Sequence, residues 1–416
     1  MTYGNEEFVP ILLGTGLNAY NIARCLHQAY GVRTLALGRV ALRETQHSSI
    51  ISVRATRDFD DAETIVRTLE ELASEFEDTA TKIRPKLLLI PTIEFYTNVV
   101  INHRDRLEPH YLIPLVDREL ADRLINKTDF YATCAALSIP HPITTVVTPA
   151  QRSDPGIGET LGFDYPVILK PSNTDIYPRL HFAGKQKIYL VPDRAALRSA
   201  VEMIFAAGYN DDLIVQQYIP GDETVMRVAN TYSDVNGALT FVSVGQVVLA
   251  DQSPDKVGNY NAILTVRDDE LTASLTTLLE SIGYTGLANF DVMYDRRDGT
   301  SKVLEINLRL GGASFYAMAA GGNIPARIVQ DMVYGEGPAL QVTTDERLWL
   351  NLPCPLAWIY APPSLRSRVR KAARKGAKHT LWYRPDLKAR RVMTVLRVDL
   401  RYALSTLKFA RRGMNR

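Results

Sequence analysis

Cysteine is scarce in this chain of 416 residues. Its three cysteines, Cys25, Cys134 and Cys354, lie far apart, with no CxxC pair and no histidine clustered beside them. A disulfide framework or a structural zinc site needs several cysteines or histidines at close spacing. The sequence therefore argues against both and predicts a reducing, cytoplasmic location.

Long apolar runs are also missing. No stretch of about 18 uncharged apolar residues occurs, which argues against a membrane-spanning helix. The first ten residues contain acids and no apolar segment, so we expect no secretory signal. A hydrophobic content of 46% and a charged content of 23% are typical of a globular protein, and the length predicts two or three packed units.

Acidic residues are nearly absent from the last part of the chain. Residues 361–416 hold 17 Lys or Arg and only two acids, Asp386 and Asp399, although the net charge of the whole chain is only +2. The remainder is therefore acidic. A basic tail on an acidic body predicts that the tail meets an anionic partner or surface.

The first part of the chain alternates apolar runs with helical patterns. An apolar run at 8–13 precedes a helical pattern at 18–30, a second run at 32–37 and, after a polar helix at 61–77, a third run at 86–91. Strands that alternate with helices predict an α/β layer with a parallel sheet.

A glycine pattern follows the first apolar run. Gly14-x-Gly16-x-x-Ala19 fits the loose fingerprint of a dinucleotide-binding turn, so a dinucleotide-dependent oxidoreductase is one hypothesis. That hypothesis requires an acidic residue at the end of the second strand, to bind a ribose. The stretch 37–39 contains no acid, which favours an ordinary tight turn between a strand and a helix.

The richest concentration of polar residues lies in a predicted hairpin. Strand alternation places Asn289, Asp291 and Met293 on one face of the first strand, and Glu305, Asn307 and Arg309 on one face of the second. If the register brings the faces together, two carboxylates, an amide and a guanidinium form one patch. Such a patch is costly to bury unless a cation or a phosphate compensates it.

Oxygen ligands of this kind suit Mg²⁺, which takes few protein ligands and completes its shell with water and phosphate oxygens. We therefore interpret Asp291, Glu305 and Asn307 as metal ligands, with Arg309 facing a transferred phosphoryl group. A solvated hairpin face with ordinary ion pairs shows the same alternation and remains the alternative from spacing alone.

Two apolar strands precede this hairpin. Residues 165–171 include Lys170 near the strand end, and residues 213–221 run into a turn followed by Glu223. Either feature alone is weak, because strand-terminal lysines commonly extend to solvent. In this order, however, the lysine strand, the second strand and the carboxylate hairpin resemble those of the ATP-grasp enzymes.

The resemblance assigns contacts with ATP to six residues: Lys127 and Lys170 to the phosphates, Gln216, Gln217 and Ile219 to the adenine slot, and Glu223 to the ribose. Many members have Glu where Gln216 stands, but backbone contacts to adenine survive that change. The resemblance also implies two Mg²⁺ ions at the hairpin.

The implied fold has three parts. An α/β Rossmann-like (pre-ATP-grasp) domain covers residues 1–115, α+β ATP-grasp lobes cover 116–340, and a basic helical extension covers 341–416. Residues 171–187 would form a flap over the phosphates, for which a plain hairpin loop is the alternative.

Within these enzymes the chain resembles the D-aspartate ligases from about residue 5 to residue 335. The resemblance is carried by the strings NEEFVPILLG (5–14), LINK (124–127), YIPGDE (218–223), MRVANTY (226–232), GNY (258–260), ANFD (288–291), YDRRDGT (294–300), EINLR (305–309), AAGGN (319–323) and VQDMVYG (329–335). It implies a ligase that activates the β-carboxylate of D-aspartate as an acyl phosphate and joins it to the lysine side-chain amine of a UDP-linked peptidoglycan precursor. An ATP-grasp ligase for another amino acid or acceptor, and a nucleotide-binding module without activity, are the alternatives.

A dicarboxylic amino acid requires cationic recognition, for which arginine is well suited. Arg227 and Arg309 are the predicted catalytic, substrate-binding arginines. Residues 258–261 and 314–316 are candidates for the rest of the pocket, with ordinary turn and core roles as the alternative.

Two stretches of the tail, 363–380 and 391–412, mix basic and apolar residues at loosely helical spacing. They predict a helix lying on the anionic inner face of a membrane, or capture of the anionic precursor, or a solvated basic helix or disordered end. No motif supports nucleic-acid binding, and no residue decides between a monomer and a homodimer.

Overall fold

The structure is a computed structural model that describes residues 3–77, 84–173, 176–251, 253 and 258–413, with side chains described as far as residue 409. Thr174 and Asp175 of the predicted flap lie outside these residues. None of the helices in the described ranges is both long enough and apolar enough to cross a membrane.

A parallel sheet with flanking helices opens the chain. Its elements are β1 (Phe8–Leu13), α1 (Leu17–Tyr30), β2 (Thr34–Gly38), β3 (Ile51–Ala55), α2 (Ala62–Glu77), β4 (Lys86–Pro91), α3 (Glu94–Asn102), α4 (Arg104–Leu107) and β5 (Tyr111–Leu112). The strand order is β3-β2-β1-β4-β5, and every pairing is parallel. Strand β1 is buried on both faces, as expected for a parallel strand covered by helices on each side. The parallel α/β layer predicted from the alternating runs therefore forms.

A small antiparallel sheet follows two connecting helices. Its elements are α5 (Arg118–Ile125), α6 (Lys127–Ala136), β6 (Thr144–Val147), β7 (Val167–Pro171), β8 (Tyr189–Val191), α7 (Arg194–Ala206) and β9 (Leu213–Gln217). The strand order is β6-β9-β7-β8, and α7 covers one face through Leu197, Val201 and Ile204. Asn126 caps α6 by accepting hydrogen bonds from the amides of Thr128 and Asp129. This cap fixes Lys127 at the first position of the helix.

The third sheet is the largest. The remaining elements are β10 (Met226–Ser233), β11 (Leu239–Ala250), β12 (Tyr260–Val266), α8 (Asp269–Ser281), β13 (Gly286–Asp295), β14 (Thr300–Asn307), α9 (Phe315–Ala319), α10 (Ile324–Ile328), β15 (Gln341–Val342), β16 (Leu348–Leu350), α11 (Cys354–Tyr360), α12 (Arg366–Arg374), β17 (Lys378–His379) and α13 (Ala389–Gly413). The order is β14-β13-β10-β11-β12-β16-β17, with β15 beside β11. Short 3₁₀ turns lie at Pro149–Gln151, Tyr177–Arg179, Glu223–Val225 and Arg384–Asp386, and a π-helical turn lies at Val329–Val333.

The segment after residue 340 is integrated into this fold. Strands β15, β16 and β17 all belong to the third sheet, so the predicted boundary at 340/341 falls inside that sheet. Helix α13 packs Val395, Val398 and Tyr402 into the same apolar cluster as Trp349 of β16. Its described residues therefore do not form the disordered end that was one interpretation of the tail.

Three long-range contacts fasten the other two units to the hairpin β13–β14. The amide of Leu287 donates to the carbonyl of Pro114 at 3.1 Å, and the hydroxyl of Tyr131 donates to the carbonyl of Leu304 at 2.6 Å. The side-chain amide of Asn18 donates to the carbonyl of Leu310 at 3.0 Å, just beyond the hairpin. The hairpin thus lies where all three sheets meet.

Candidate active site

The register of the hairpin places its polar residues side by side. Asp291 of β13 pairs with Glu305 of β14, and Asn289 pairs with Asn307. Directly opposed residues of an antiparallel pair project to the same face with their Cβ atoms about 5 Å apart. The two polar faces predicted from the alternation therefore coincide.

A β-bulge follows this pairing. The register passes from Asp291–Glu305 to Val292–Val303, which leaves Leu304 as the extra residue on β14. Bulges occur often beside active sites, because they redirect side chains and carbonyl groups. Here the redirected region includes the carbonyl of Leu304, which accepts the hydrogen bond of Tyr131.

The carboxylate of Asp291 is destabilised by its surroundings. Burial, together with the neighbouring charge of Glu305, raises the pKa of Asp291 to about 6, while Arg309 and Lys187 act in the opposite direction. No described residue forms an ion pair with Asp291 within 4 Å, and Glu305 has one such partner, Lys127, at 3.6 Å. Like charges held close together favour binding of a cation between them.

Lys170 lies in the same region and is buried. Its ammonium donates to the hydroxyl of Tyr131 at 2.8 Å. Burial lowers its pKa to about 8, although the charges of Glu305 and Asp291 oppose this change. The structure thus brings the two predicted phosphate lysines, Lys127 and Lys170, to the carboxylate pair.

Arg309 is weakly held by the protein. Its two long hydrogen bonds reach the side-chain oxygen of Asn307 at 3.4 Å and the carbonyl of Leu310 at 3.3 Å. Its Nε is buried and has no hydrogen-bond partner among the described residues. A guanidinium whose N–H groups are not all used in hydrogen bonds to the protein is well suited to bind a carboxylate or a phosphate.

These groups enclose a cavity of about 240 Å³. Its polar lining comprises Glu94, Lys187, Asn230, Asn259, Tyr260, Asn289, Asp291, Glu305, Asn307, Arg309, Ser314 and Tyr316. The cavity adjoins a more open cleft of about 700 Å³ between α3 and the flap residues 185–187. Glu94, Lys187 and Glu305 line both spaces, so the flap and the first sheet border the same site as the hairpin.

The predicted adenine strand lies next to the lysine strand. Ile168 of β7 pairs with Gln216 of β9, so Gln216 shares a face with Lys170. The side-chain amide of Gln216 donates to the hydroxyl of Thr144 at 3.0 Å. The side-chain oxygen of Gln217 is buried and has no hydrogen-bond partner among the described residues. An unsatisfied acceptor at this position leaves a hydrogen bond available to a ligand.

The other two predicted nucleotide residues follow β9. Ile219 is buried. A carboxylate oxygen of Glu223 accepts a hydrogen bond from the amide of Ala250 at 3.1 Å. Glu223 also contributes to raising the pKa of Tyr260, a residue of the 240 Å³ cavity. The charge of Glu223 therefore acts on a residue of the 240 Å³ cavity.

Arg227 is not brought to the cavity, which corrects its predicted role at the substrate. Residues 228 and 230 of β10 line the cavity, and strand alternation sends Arg227 to the opposite face. There its guanidinium forms an ion pair with Asp268, the N-cap residue of α8, and stacks over the ring of Tyr294 at 4.4 Å. Arg227 therefore ties β10 to α8.

Sequence reasoning missed three residues of the site. Tyr131 accepts the hydrogen bond of Lys170. Asn230 of β10 and Glu94 at the start of α3 line the cavity. Asn230 lies within a string that resembles the D-aspartate ligases, so a face assignment for β10 could have identified it. Tyr131 and Glu94 lie in other units of the chain, and no local pattern connects them to the hairpin.

The glycine turn after β1 is covered by its own protein. A Cβ atom on Gly16 would lie 3.6 Å from a methyl group of Leu42, and the hydroxyl of Thr15 donates to the carbonyl of Val40 at 2.7 Å. A dinucleotide pyrophosphate would need this space above the helix N-terminus. The missing ribose acid after β2 therefore remains the main argument against an oxidoreductase.

Comparison with known proteins gives a consistent result. The chain is 34% identical over 397 residues to a D-aspartate ligase of Enterococcus faecium, and the alignment covers 93% of each chain. No protein-family model matches the chain.

Solved structures with the same fold are much more distant in sequence. The biotin carboxylase domain of a 2-oxoglutarate carboxylase from Hydrogenobacter thermophilus matches with a TM-score of 0.60 and 14% identity, over 82% of this chain and 72% of that one. An N5-carboxyaminoimidazole synthetase from Staphylococcus aureus matches with a TM-score of 0.57 and 14% identity, over 85% of each chain. Both are ATP-grasp enzymes. The chain therefore belongs to the D-aspartate ligase family of ATP-grasp enzymes and is an ATP-dependent carboxylate–amine ligase.

Proposed function

We propose that this ligase joins the β-carboxylate of D-aspartate to the lysine side-chain amine of a peptidoglycan precursor stem peptide, with release of ADP and phosphate. The 34% identity over 93% of both chains to a D-aspartate ligase supports this choice of amino acid. The observation that carries the chemistry is the direct pairing of Asp291 with Glu305 in a cavity that Arg309 also lines. Lys127 lies 3.6 Å from Glu305, and the charges of both carboxylates act on the buried Lys170.

The reaction needs two transfers. A carboxylate oxygen of the amino acid attacks the γ-phosphorus of ATP, the bond to the β-phosphate oxygen breaks, and ADP leaves. The neutral amine of the acceptor then attacks the carbonyl carbon, and phosphate leaves as the amine loses a proton. Both steps move negative charge within the site, so positioning and charge neutralisation account for most of the catalysis.

In this proposal the protein supplies cations on several sides of the phosphates. Lys170 is pre-positioned by Tyr131, and Lys127 is held at the start of α6 beside Glu305. Gln216, Gln217 and Ile219 form the adenine slot on β9 and its continuation, and Glu223 binds the ribose hydroxyls. The unsatisfied side-chain oxygen of Gln217 supports this placement of the nucleotide.

Magnesium fits the donor set at the hairpin. Two carboxylates and one amide oxygen, from Asp291, Glu305 and Asn307, leave coordination positions for water and phosphate oxygens, as Mg²⁺ prefers. A divalent cation also relieves the repulsion between the two carboxylates, which otherwise contributes to raising the pKa of Asp291. We propose two ions at this site, which would neutralise the charge of the transferred phosphoryl group.

The amino acid would occupy the 240 Å³ cavity. Arg309 has unsatisfied donor capacity there, and Lys187 of the flap lines the same space. We propose that these two cations bind the carboxylates of the substrate, while Tyr260 and Ser314 complete the pocket. Arg227 has no part in this arrangement, because it lies on the opposite face of the sheet.

The acceptor would enter through the larger cleft between α3 and the flap, since that cleft ends at Glu305. We propose that the parallel sheet acts as the Rossmann-like, pre-ATP-grasp unit that borders this cleft and receives the UDP-linked precursor. In the same proposal the ATP-grasp lobes begin near residue 116, and the chain works in the cytoplasm.

Release of ADP, measured with each D- and L-amino acid in the presence of a lysine-containing precursor, tests this function. We expect turnover with D-aspartate and Mg²⁺, loss of turnover with EDTA, and a product in which the aspartyl group is attached to the lysine amine. Turnover with L-aspartate and none with D-aspartate would overturn the choice of amino acid. Turnover with D-aspartate but no attachment to the precursor would overturn the choice of acceptor.

A further inference from the structure

The longest helix of the molecule has two apolar faces, of which the fold uses one. Helix α13 spans Ala389–Gly413, and its inward face packs Val395, Val398 and Tyr402 into the core. The outward stripe comprises five large apolar side chains: Met393, Leu396, Leu400, Leu404 and Leu407. Each of these side chains is 37–58% exposed. Their spacing of three or four residues aligns them along one side of the helix.

A row of basic residues borders this stripe. Arg390, Arg397, Arg401 and Lys408 are separated by seven, four and seven residues, so they form a second line beside the apolar one. All four are exposed. Arg401 is paired with Glu44 at 2.7 Å, whereas Arg390 and Arg397 form no ion pair with a described residue. The outward face of α13 therefore combines apolar side chains with uncompensated positive charge.

Helix α12 provides an internal contrast. It is also strongly basic, but its apolar residues Val369 and Ala372 are buried, and its exposed side chains are polar. Of the two tail stretches singled out in the sequence, only the second therefore presents an apolar surface to its surroundings.

The positive charge of the basic row distinguishes between two possible partners of the outward face, a second copy of α13 and an anionic lipid surface. A second copy of α13 packed on this stripe would bring two basic rows close together, and like charges at such an interface are unfavourable. The one acid in residues 389–413, Asp399, is buried and accepts a hydrogen bond from the indole of Trp382, so it does not neutralise the row. An anionic lipid surface can accept the apolar stripe between its acyl chains and pair the basic row with its negatively charged headgroups.

We infer that α13 docks the protein onto an anionic lipid bilayer, lying in the plane of the interface. Leu396, Leu400 and Leu404 enter the boundary between headgroups and acyl chains, and the row headed by Arg390 and Arg397 contacts the headgroups. This role is independent of the proposed reaction, because no residue of the stripe lines the ligase cavities.

Co-sedimentation of the full chain with vesicles tests the inference. We expect binding to phosphatidylcholine vesicles containing phosphatidylglycerol, little binding to phosphatidylcholine alone, and weaker binding as salt is raised. The double variant Leu400→Glu with Leu404→Glu should need about tenfold more lipid for half-maximal binding, since two apolar contacts are lost and two negative charges are added. Val235→Glu, at a similarly exposed apolar residue in the turn between β10 and β11, is the matched control and should bind like the wild type.

Two results would overturn the inference. One is failure of the lipid test, seen either as wild-type protein that does not sediment with anionic vesicles or as a double variant that sediments as well as the wild type. The other is a wild-type dimer in light scattering that the double variant converts to a monomer while vesicle binding stays undetectable, which would assign the stripe to a second copy. Turnover of dissolved substrates should be the same in all these proteins, so failure of the lipid test is distinguishable from failure of the proposed reaction.

Discussion

The protein contains two clusters of charge, one fully buried and one bordering a cavity, and they are built in opposite ways. Asp386 is fully buried and is saturated by the chain itself: it accepts hydrogen bonds from Tyr20 at 2.8 Å, Ser48 at 2.9 Å and both the amide and hydroxyl of Ser49, and it pairs with Arg391 at 3.2 Å. Asp291 is opposed by another carboxylate, Glu305, and has no ion pair with a described residue.

We interpret the charge of Asp386 as one that stabilises the fold and the charge of Asp291 as one that binds a ligand. Removing a partner from a saturated buried pair leaves an uncompensated charge, which costs several kcal/mol. Removing one member of a like-charged pair relieves repulsion instead. The Asp386 cluster should therefore control stability, and the Asp291 cluster should control turnover.

The largest expected effect is on turnover. Glu305→Ala should lower the rate of ADP release by about 10³-fold or more, because the proposed carboxylate ligand to Mg²⁺ is lost. Its melting temperature should stay close to that of the wild type, because the relieved repulsion on Asp291 offsets the lost ion pair with Lys127. Steady-state kinetics and thermal melts of the same preparation measure both. Near-normal turnover would show that Glu305 is not a metal ligand.

The second effect is on stability. Asp386→Ala should lower the free energy of unfolding by about 3–5 kcal/mol, because Arg391 is left buried without its carboxylate. Urea denaturation measures this loss, and kcat per folded molecule should stay close to that of the wild type. Asp164→Ala, at an exposed residue that forms no ion pair with a described residue, serves as the control. A fully stable Asp386→Ala protein would contradict the structural role of this cluster.

A matched pair of tyrosine changes tests the same contrast at smaller scale. Tyr131→Phe removes a hydroxyl that accepts from Lys170 and donates to the carbonyl of Leu304, and Tyr20→Phe removes one that donates to Asp386. Each change costs about 1 kcal/mol of hydrogen bonding. We expect Tyr131→Phe to raise the KM for ATP by about fivefold. Tyr20→Phe should lower only the unfolding free energy. An unchanged KM in Tyr131→Phe would indicate that Lys170 needs no positioning by this hydroxyl.

The smallest effect on activity is expected for Arg227. Arg227→Gln should leave kcat/KM for the amino acid within about threefold, while the lost ion pair with Asp268 lowers stability by about 1–3 kcal/mol. Arg309→Gln, measured in parallel, should raise the KM for the amino acid far more. If the two arginine variants lost activity equally, the assignment of Arg227 to the opposite face would be contradicted.

The sequence predicted the local parts of this arrangement well. The alternation at 289–293 and 305–309 identified both strands of the hairpin, and the register then united Asp291 with Glu305. Arg227 was misplaced, because an alternating strand shows which residues share a face but not which face borders the cavity. That choice depends on the packing of α8 beneath the sheet, and local spacing does not reveal it.

The long-range parts could not be predicted. Tyr20 and Asp386 are separated by 366 positions, and Tyr131 and Leu304 by 173. Such contacts arise from the way the sheets and the C-terminal helices pack together, and no periodicity in one segment encodes its partner in another. The basic tail illustrates the same limit: its composition indicated an anionic partner, but only the fold separates the buried face of α13 from the exposed stripe.

The most direct test of the central claim uses a substrate labelled with ¹⁸O in its β-carboxylate. If the Asp291–Glu305 site transfers the γ-phosphoryl group of ATP to that carboxylate, each released phosphate should carry one ¹⁸O atom, visible by ³¹P NMR. Glu305→Gln should release no labelled phosphate. Unlabelled phosphate from an active wild-type enzyme would contradict the account, because the carboxylate would then not have been phosphorylated.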